Sequence, residues 1–216
     1  MWASGASRPP KGTKELWRLM GEERVHTELT LGQFGIVALA GGMLRHKHFE
    51  VMRMALGRHC DANKNKTFAM YRVDAPYKPI TDHGTGKRMG GGKGNIDEYG
   101  TPVRAGRVVV EVGGAKEWAE VRPWLAVVAR QLPFHAIAVT AEMLHKLKEE
   151  EQRLVAANQN PYTFEWMVRN NILNCQTMLS DYDKRWFGKF CYKDRETNLK
   201  WRRVLGGYTR APGQNN

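Results

Sequence analysis

Hydrophobic positions in the first two thirds of the chain alternate between strand-like and helix-like spacing. The segment from Leu31 to Leu39 is mainly apolar and contains early glycines, which predicts a strand. From His46 to Cys60, apolar residues recur every three or four positions, which predicts a helix with one buried face. Two further β-rich segments, Thr67 to Val73 and Arg107 to Val112, predict strands on either side of a long loop.

The continuation of this pattern adds a second helix and a last strand. A helix is predicted within Glu117 to Gln131, where Pro123 either opens its first turn or kinks it. Ala136 to Thr140 predicts a short strand. The order strand, helix, strand, long loop, strand, helix, strand indicates an α+β fold, a two-layer sandwich in which two helices cover one mixed or antiparallel sheet.

After the last predicted strand the pattern becomes polar. Ala141 to Ala157 predicts a highly charged helix with a narrow stripe of leucines that packs weakly. Thr163 is placed to N-cap a shorter helix, and the rest is helical or irregular. The pattern therefore predicts three parts: an N-terminal extension (1–26), an α+β domain (27–140) and a C-terminal extension (141–216).

Composition narrows the class of partner. The 216 residues are 42% apolar, enough for a hydrophobic core, and carry a net charge of +12, which favours polyanions such as nucleic acid or an anionic membrane surface. Charged residues interrupt every apolar run, so no membrane span is predicted. The three cysteines lie far apart, which indicates a reducing compartment without disulfides or zinc. Prolines and glycines interrupt the basic N-terminus, so no transit helix is read there.

The predicted long loop, Ala75 to Gly106, is rich in glycine and positive charge. Loops beyond about 12–15 residues in compact domains are usually functional or disordered. Eight glycines lie from Gly84 to Gly106, so backbone N–H groups and cations are able to approach phosphates together. The interspersed cations are Lys87, Arg88, Lys93 and Arg104.

Two alternatives to an RNA-binding loop are a flexible linker and a nucleotide-binding loop. The cations argue against a simple linker. The phosphate-binding and dinucleotide-binding glycine motifs are both absent, and Gly94 stands where a magnesium-binding hydroxyl would be required after Lys93. Binding of ATP or a dinucleotide is therefore disfavoured, and no cofactor is predicted.

The C-terminal tail is a second basic region. From Lys184 to Arg210 there are nine Lys or Arg against two acidic residues, so +7 of the chain's +12 lies there. Lys184, Arg185 and Lys189 are its first cations and favour phosphates. The aromatic rings between them either stack on unpaired bases or pack in a protein interface.

Candidate catalytic and metal residues are few. His46 and His48 diverge on a helix, so they are predicted to mark the helix start rather than a metal site. Asp82 and His83 form an acid and base pair without a nucleophile nearby, so no catalytic residue is predicted. The acidic run 149–151 is predicted to be a solvated helix face, or to meet a basic protein neighbour.

An ordered set of motifs, taken together, resembles the large-subunit ribosomal protein sixteen family from about Thr27 to Thr140. The motifs are Lys78-Pro79-Ile80-Thr81, Arg88-Met89-Gly90-Gly91-Gly92-Lys93-Gly94-Asn95, Gly106-Arg107-Val108-Val109-Val110-Glu111 and Leu132-Pro133. The segments Asn158 to Phe164 and Trp186 to Phe190 are similar to the extension of the family's mitochondrial branch.

The resemblance implies a structural, non-enzymatic constituent of the mitochondrial large ribosomal subunit, located in the matrix. It would bind large-subunit ribosomal RNA at the base of the central protuberance and reach toward the aminoacyl-tRNA site. Its implied partners are that RNA, the aminoacyl-site tRNA and neighbouring mitochondrial ribosomal proteins. Arg88 is expected to be the foremost RNA contact. With the tail, the expected RNA-binding residues are Lys78, Lys87, Arg88, Gly90, Gly91, Gly92, Lys93, Gly94, Arg104, Lys184, Arg185 and Lys189.

Two departures from the family pattern and two alternative functions accompany this interpretation. Gly91 stands where the family often has lysine, and the segment 82–86 differs from the usual residues. The alternatives are an RNA-acting enzyme, based on Asp82 and His83 beside the glycine loop, and a free regulatory RNA-binding protein. Turnover of an RNA substrate would distinguish the enzyme, and failure to co-sediment with ribosomes would distinguish the free regulatory protein.

Overall fold

A computed structural model describes residues 11–13, 15–31, 33–60, 66–114 and 117–190. Within these residues the protein is an antiparallel α+β structure, which confirms the predicted fold class. The strands are β1 Phe34–Ala38, β2 Gly42–Arg45, β3 Phe68–Tyr71, β4 Lys78–Asp82, β5 Asn95–Val103, β6 Val108–Gly113 and β7 Ala136–Thr140. The α-helices are α1 His46–Gly57, α2 Trp118–Gln131, α3 Ala141–Ala157, α4 Phe164–Arg169 and α5 Asp181–Trp186, with 3₁₀ helices at Leu16–Leu19 and Ile172–Thr177.

The core lies on one face of a four-stranded sheet with the order β3-β6-β1-β7. All six residues of β6 are buried, because helices cover one face of the sheet and other segments cover the opposite face. Met52 of α1 and Leu125 of α2 pack in one cluster with Ile36 and Val110 of the sheet. These apolar contacts provide the main driving force for folding of the domain.

The opposite face of this sheet carries a smaller cluster. Val37, Val108 and Val139 are buried there, and Leu144 of α3 packs against them. Helix α3 itself contains no fully buried residue. The predicted weak packing of this charged helix is therefore confirmed.

A buried carboxylate, Glu111, lies in the middle of β6. Its oxygens accept hydrogen bonds from the Arg72 guanidinium at 2.9 Å, the Thr30 hydroxyl at 3.1 Å and the backbone N–H of Leu31. A buried charge needs such partners, since water no longer solvates it. The network ties the chain before β1 to the central strand of the sheet.

The predicted long loop of residues 75–106 is wrong in its extent. Strands β4 and β5 lie within it and form a hairpin, and β2 completes a separate three-stranded sheet with the order β2-β5-β4. Pro79, Asp97 and Gly100 disfavour strands, so local propensity does not predict β4 and β5. These strands form because they pair with other segments of the chain. Between the two hairpin strands, residues 83–94 form the loop.

Several local predictions agree with the structure. Helices α1 and α2 and strand β7 occur where the spacing predicts them, and Pro123 lies inside α2 rather than at its start. The Thr163 hydroxyl caps α4 by accepting from the Trp166 N–H at 3.2 Å. His48 marks the start of α1, since its Nδ1 accepts from the Arg45 N–H at 3.0 Å.

The C-terminal helix α5 reaches the N-terminal segment. The Trp186 ring lies so close to Gly21 that a Cβ there would be 2.5 Å from the ring, and the Gly21 N–H donates to the Phe190 carbonyl at 3.2 Å. Gly21 also has a φ of +93°, which glycine adopts without strain. Glu22 forms a β-bridge with Ala105. The N-terminal segment around Gly21 and Glu22 therefore contacts both the C-terminal extension and the α+β domain.

Candidate nucleic-acid interface

The tip of the β4–β5 hairpin, residues 83–94, is shaped by glycines. Gly86, Gly90 and Gly92 have φ values of +84°, +95° and +77°, and a Cβ at any of them would meet nothing within 4 Å. These glycines are therefore required by backbone conformation and not by crowding. The resulting turns leave backbone N–H groups at the surface, where successive N–H groups are suited to bind anions.

Gly94 serves a different purpose, at the start of the hairpin stem. A Cβ at Gly94 would collide with the backbone carbonyl of Asp82, the residue that pairs with Asn95 where the two strands separate. Gly91 has no such neighbour, since its nearest atom is the Arg88 carbonyl at 3.8 Å. The glycine motif thus combines one position that closes the stem with others that shape the tip.

Lys87 and Arg88 are the exposed cations of the tip. Both side chains are exposed, and neither forms an ion pair with another residue of the described ranges. Met89 beside them is fully exposed. Cations without a carboxylate partner are available to neutralise phosphates.

Lys93, predicted as an RNA contact, is held by the chain itself. Its ammonium donates to the backbone carbonyl of Lys11 at 3.0 Å and to that of Gly12. The N-terminal segment therefore lies beside the hairpin and brings the exposed Lys11 to the same surface. Direct binding of RNA by Lys93 stays a prediction.

Lys78 lies at the base of the hairpin with its side chain 10% exposed. Its ammonium is 3.1 Å from the Glu15 carboxylate, which also lies 2.8 Å from the Arg18 guanidinium. The hydrogen bond from Lys78 lowers the pKa of Glu15, against a smaller opposing effect of burial. The structure thus gives Lys78 an anchoring contact, and an RNA contact by this residue stays a prediction.

A second ion pair anchors the hairpin to α1. The Glu98 carboxylate lies 2.5 Å from the Lys47 ammonium and 3.8 Å from the Arg45 guanidinium. The hydrogen bond with Lys47 lowers the pKa of Glu98, and the same contact raises the pKa of Lys47. The stem is therefore fixed to the domain by charged contacts, whereas Lys87 and Arg88 of the tip form no ion pair within the described ranges.

The predicted tail cations lie on the other side of the N-terminal segment, in or beside α5. Lys184 is 3.8 Å from Asp181, Lys189 is 3.6 Å from Glu151 of α3, and the Arg185 guanidinium is 4.9 Å from the Trp186 ring centroid. Trp186 itself packs on protein. The remainder of the predicted tail, residues 191–210, lies outside the described residues.

A pocket that the sequence did not reveal lies next to the hairpin base. It has a volume of about 250 Å³, and three separate stretches of the chain contribute to it. Its lining is Trp17, Arg18, Glu23, Asp74, Tyr77, Thr101, Pro102, Arg104 and Arg107. Arg104, predicted as an RNA contact, is thus placed at this pocket and not at the hairpin tip. In the sequence, the adjacent Trp17 and Arg18 do not indicate a pocket, because the rest of its lining is distant along the chain.

The other chemical candidates remain scattered. Among the described residues no group of three or more His, Cys, Asp or Glu is arranged to hold a metal ion. Cys60 and Cys175 form no disulfide within the described residues, and Cys191 lies outside them. Asp82 and His83 are exposed on the tip. No helix within the described ranges is both long and apolar enough to span a membrane.

The fold and the site define a basic α+β protein with a glycine-rich cationic hairpin, a class suited to binding RNA. The model of the family described as ribosomal protein L16p/L10e matches residues 7–139. The large ribosomal subunit protein uL16 of three Vibrio cholerae serotype O1 strains is similar: each is 35% identical over 118 residues, covering 55% of this chain and 83% of the relative. The chain belongs to this family of large-subunit ribosomal proteins, whose members are structural components, and the family resemblance is confirmed.

Proposed function

We propose that this chain is a structural constituent of the mitochondrial large ribosomal subunit that binds its ribosomal RNA and helps to organise the aminoacyl-tRNA site. One observation carries the proposal: the hairpin presents Lys87 and Arg88, without carboxylate partners in the described chain, on a tip shaped by left-handed glycines. RNA phosphates match this combination of N–H groups and cations. The L16p/L10e family supplies the ribosomal setting.

The geometry also favours a reach into packed RNA. The β5 strand is nine residues long, Asn95–Val103, and its base is fixed to the domain by Glu98 and Lys78. A tip on such a stem reaches a partner at a distance from the domain, because strands rise about 3.3 Å per residue. Contact with the aminoacyl-site tRNA is the part of the proposal that depends on this reach.

The mitochondrial setting is supported by the C-terminal extension. Helices α3, α4 and α5 lie beyond the family match at 7–139, and their segments Asn158 to Phe164 and Trp186 to Phe190 resemble the mitochondrial branch. The exposed Glu149 and Glu150 of α3 suit a basic neighbouring protein. Mitochondrial ribosomal proteins are the proposed neighbours.

Sedimentation tests the central claim. The endogenous protein is followed through a density gradient of mitochondrial lysate at moderate salt, and it is expected in the large-subunit fractions and in assembly intermediates. Its persistent absence from these fractions would contradict the proposal and favour a free regulatory RNA-binding protein. Protease protection of the protein in intact, purified mitochondria tests the location independently.

Substitution of the tip cations tests the role of the hairpin. In purified protein with a large-subunit RNA fragment, Arg88→Ala and Lys87→Ala each reduce the slope of log K against log salt by about 1, as expected for one lost phosphate contact. Arg130→Ala, on the exposed side of α2, is the matched control and leaves the slope unchanged. Slopes equal to that of the wild type in both tip variants would refute the role of the hairpin.

A further inference from the structure

The pocket at the hairpin base combines three kinds of chemistry. Its volume of about 250 Å³ is smaller than the roughly 300–1,000 Å³ of typical cofactor sites. Two aromatic residues, Trp17 and Tyr77, line the pocket, and they are 51% and 42% exposed. A space of this size, with exposed rings, is suited to one planar group.

One arginine organises the aromatic side of the pocket. The Arg18 guanidinium lies 5.1 Å from the Trp17 ring centroid and donates to the Tyr77 hydroxyl at 3.3 Å. Its ion pair with Glu15 at 2.8 Å holds it in place. Arg18 therefore positions both rings, and both a ring face and a guanidinium plane are surfaces on which bases stack.

The floor of the pocket is already satisfied within the protein. The Arg107 guanidinium pairs with Glu23 at 3.3 Å and donates to the Arg72 carbonyl at 2.9 Å, and the buried Thr101 hydroxyl donates to the Asp74 carbonyl at 2.9 Å. These contacts hold the floor in place, and of the groups at the opening only the Asp74 carboxylate also lies near it, 3.9 Å from Arg107. A ligand is thus left with the groups at the rim.

Two charged groups at the rim remain available. The Arg104 Nε donates to the Arg18 carbonyl at 3.3 Å, but no carboxylate pairs with Arg104 in the part of the chain that the structure describes. The Asp74 side chain is 76% exposed, and its carboxylate is 3.9 Å from Arg107. A cation and a hydrogen-bond acceptor thus lie beside the rings, which matches the phosphate and the N–H-bearing edge of a nucleotide.

We propose that this pocket binds a single unpaired nucleotide of RNA, with its base on the ring of Trp17, its phosphate at Arg104 and a base N–H group at Asp74. The inference rests on the proposed function, because ribosomal RNA is the source of the nucleotide. Single-stranded RNA fits better than duplex, since paired bases offer no ring face to Trp17. The hairpin tip, which recognises phosphates, and this pocket are separate contacts.

Binding of a short oligonucleotide tests the proposal. The purified full chain is titrated with a labelled, unstructured six-nucleotide purine RNA and with a duplex of the same sequence, and binding is followed by fluorescence anisotropy. Stacking of one base contributes about 1–3 kcal/mol, so Trp17→Leu is expected to weaken binding of the single strand about tenfold. Trp17→Phe, which keeps a ring, stays within about threefold of the wild type.

Two further variants complete the design. Arg104→Gln is expected to weaken binding of the single-stranded RNA to a similar extent as Trp17→Leu. Tyr162→Ala, which removes an exposed aromatic ring outside the pocket, is expected to leave binding unchanged. Thermal unfolding checks that each variant folds. If Trp17→Leu does not fold, the affinity of Arg104→Gln decides the outcome. Equal affinities of the wild type and the folded pocket variants overturn the proposal.

Ultraviolet cross-linking in intact large subunits separates this inference from the proposed function. A cross-link from Trp17 to one ribosomal nucleotide, lost in Trp17→Leu, supports the pocket. Incorporation of the wild-type protein into subunits with Trp17 cross-linked only to protein overturns the pocket and leaves the proposed function intact. Absence of the wild-type protein from subunits overturns the proposed function, and the oligonucleotide titration then still decides whether the pocket binds RNA.

Discussion

The two sheets of this protein share antiparallel pairing but differ in what stabilises them. Strand β6 of the four-stranded sheet buries all six of its residues, while β5 of the hairpin sheet has buried residues only from Gly100 to its end at Val103. Apolar packing holds the first sheet, and the second sheet joins the same core through Leu44 and Val103. Its hairpin is further fixed by the ion pairs of Glu98 and Lys78. The hairpin tip, where partner binding is proposed, lies outside this core, so we expect that stability and binding can be disrupted separately.

The largest effect is expected at the buried charge of the core sheet. Glu111→Ala leaves Arg72, whose side chain is 15% exposed, without its carboxylate, and should lower the free energy of unfolding by about 3–5 kcal/mol. Glu50→Ala removes a comparable but exposed pair, with Arg53 at 2.8 Å, and should cost about 1 kcal/mol or less. Urea denaturation measures both, and similar losses would contradict the assignment of the core to the first sheet.

Removal of apolar volume from the same core comes next. Leu125→Ala, at a fully buried position of α2, is expected to cost about 2–5 kcal/mol of unfolding free energy. Val127→Ala on the exposed side of that helix is the control and should change stability by about 0.5 kcal/mol or less. If both variants unfold at the same urea concentration, α2 does not pack as described.

The hairpin offers a matched pair of glycines with opposite expectations. Gly94→Ala forces a Cβ into the Asp82 backbone and should destabilise the protein by about 1–3 kcal/mol, with loss of protection at the end of the stem. Gly91→Ala enters open space at ordinary φ and should leave stability within about 0.5 kcal/mol. Hydrogen exchange of the β4 and β5 amides measures the effect, and equal exchange in the two variants would show that the stem does not close as observed.

The smallest effect is the pH dependence of the hairpin anchor. The pKa of Glu98 is lowered below its ordinary 4.5 by Lys47, so its stabilisation is complete above pH 4.5 and is lost as the pH falls through the lower pKa of the folded protein. Glu98→Gln should therefore be less stable than the wild type near pH 7, and the difference should shrink below pH 4.5. A difference that grows on acidification would reverse the sign of this linkage.

The sequence predicted the core sheet better than the hairpin sheet, for a physical reason. Ile36 and Val110 follow local apolar patterns that burial rewards, so β1 and β6 were read from spacing alone. Pro79 and Gly100 look like loop residues, and only their partners across the sheet make strands of them.

The candidate site was predictable in composition but not in the role of each cation. Lys87 and Lys93 are alike in sequence, and only the fold shows that Lys93 holds the carbonyls of Lys11 and Gly12. The pocket around Trp17 and Arg104 could not be predicted because its lining comes from distant segments. Spacing along a chain does not report which segments meet in space.

The contact of Trp186 with Gly21 joins residues that are synthesised at very different times. A nascent chain leaves its ribosome from the N-terminus, so Gly21 emerges long before the ring that covers it. Until Trp186 has been made, the segment that carries Trp17 and Arg18 keeps its contacts with the domain, among them the bridge from Glu22 to Ala105, but lacks those with α5 and Phe190. The N-terminal segment therefore reaches its final packing only after α5 has been made.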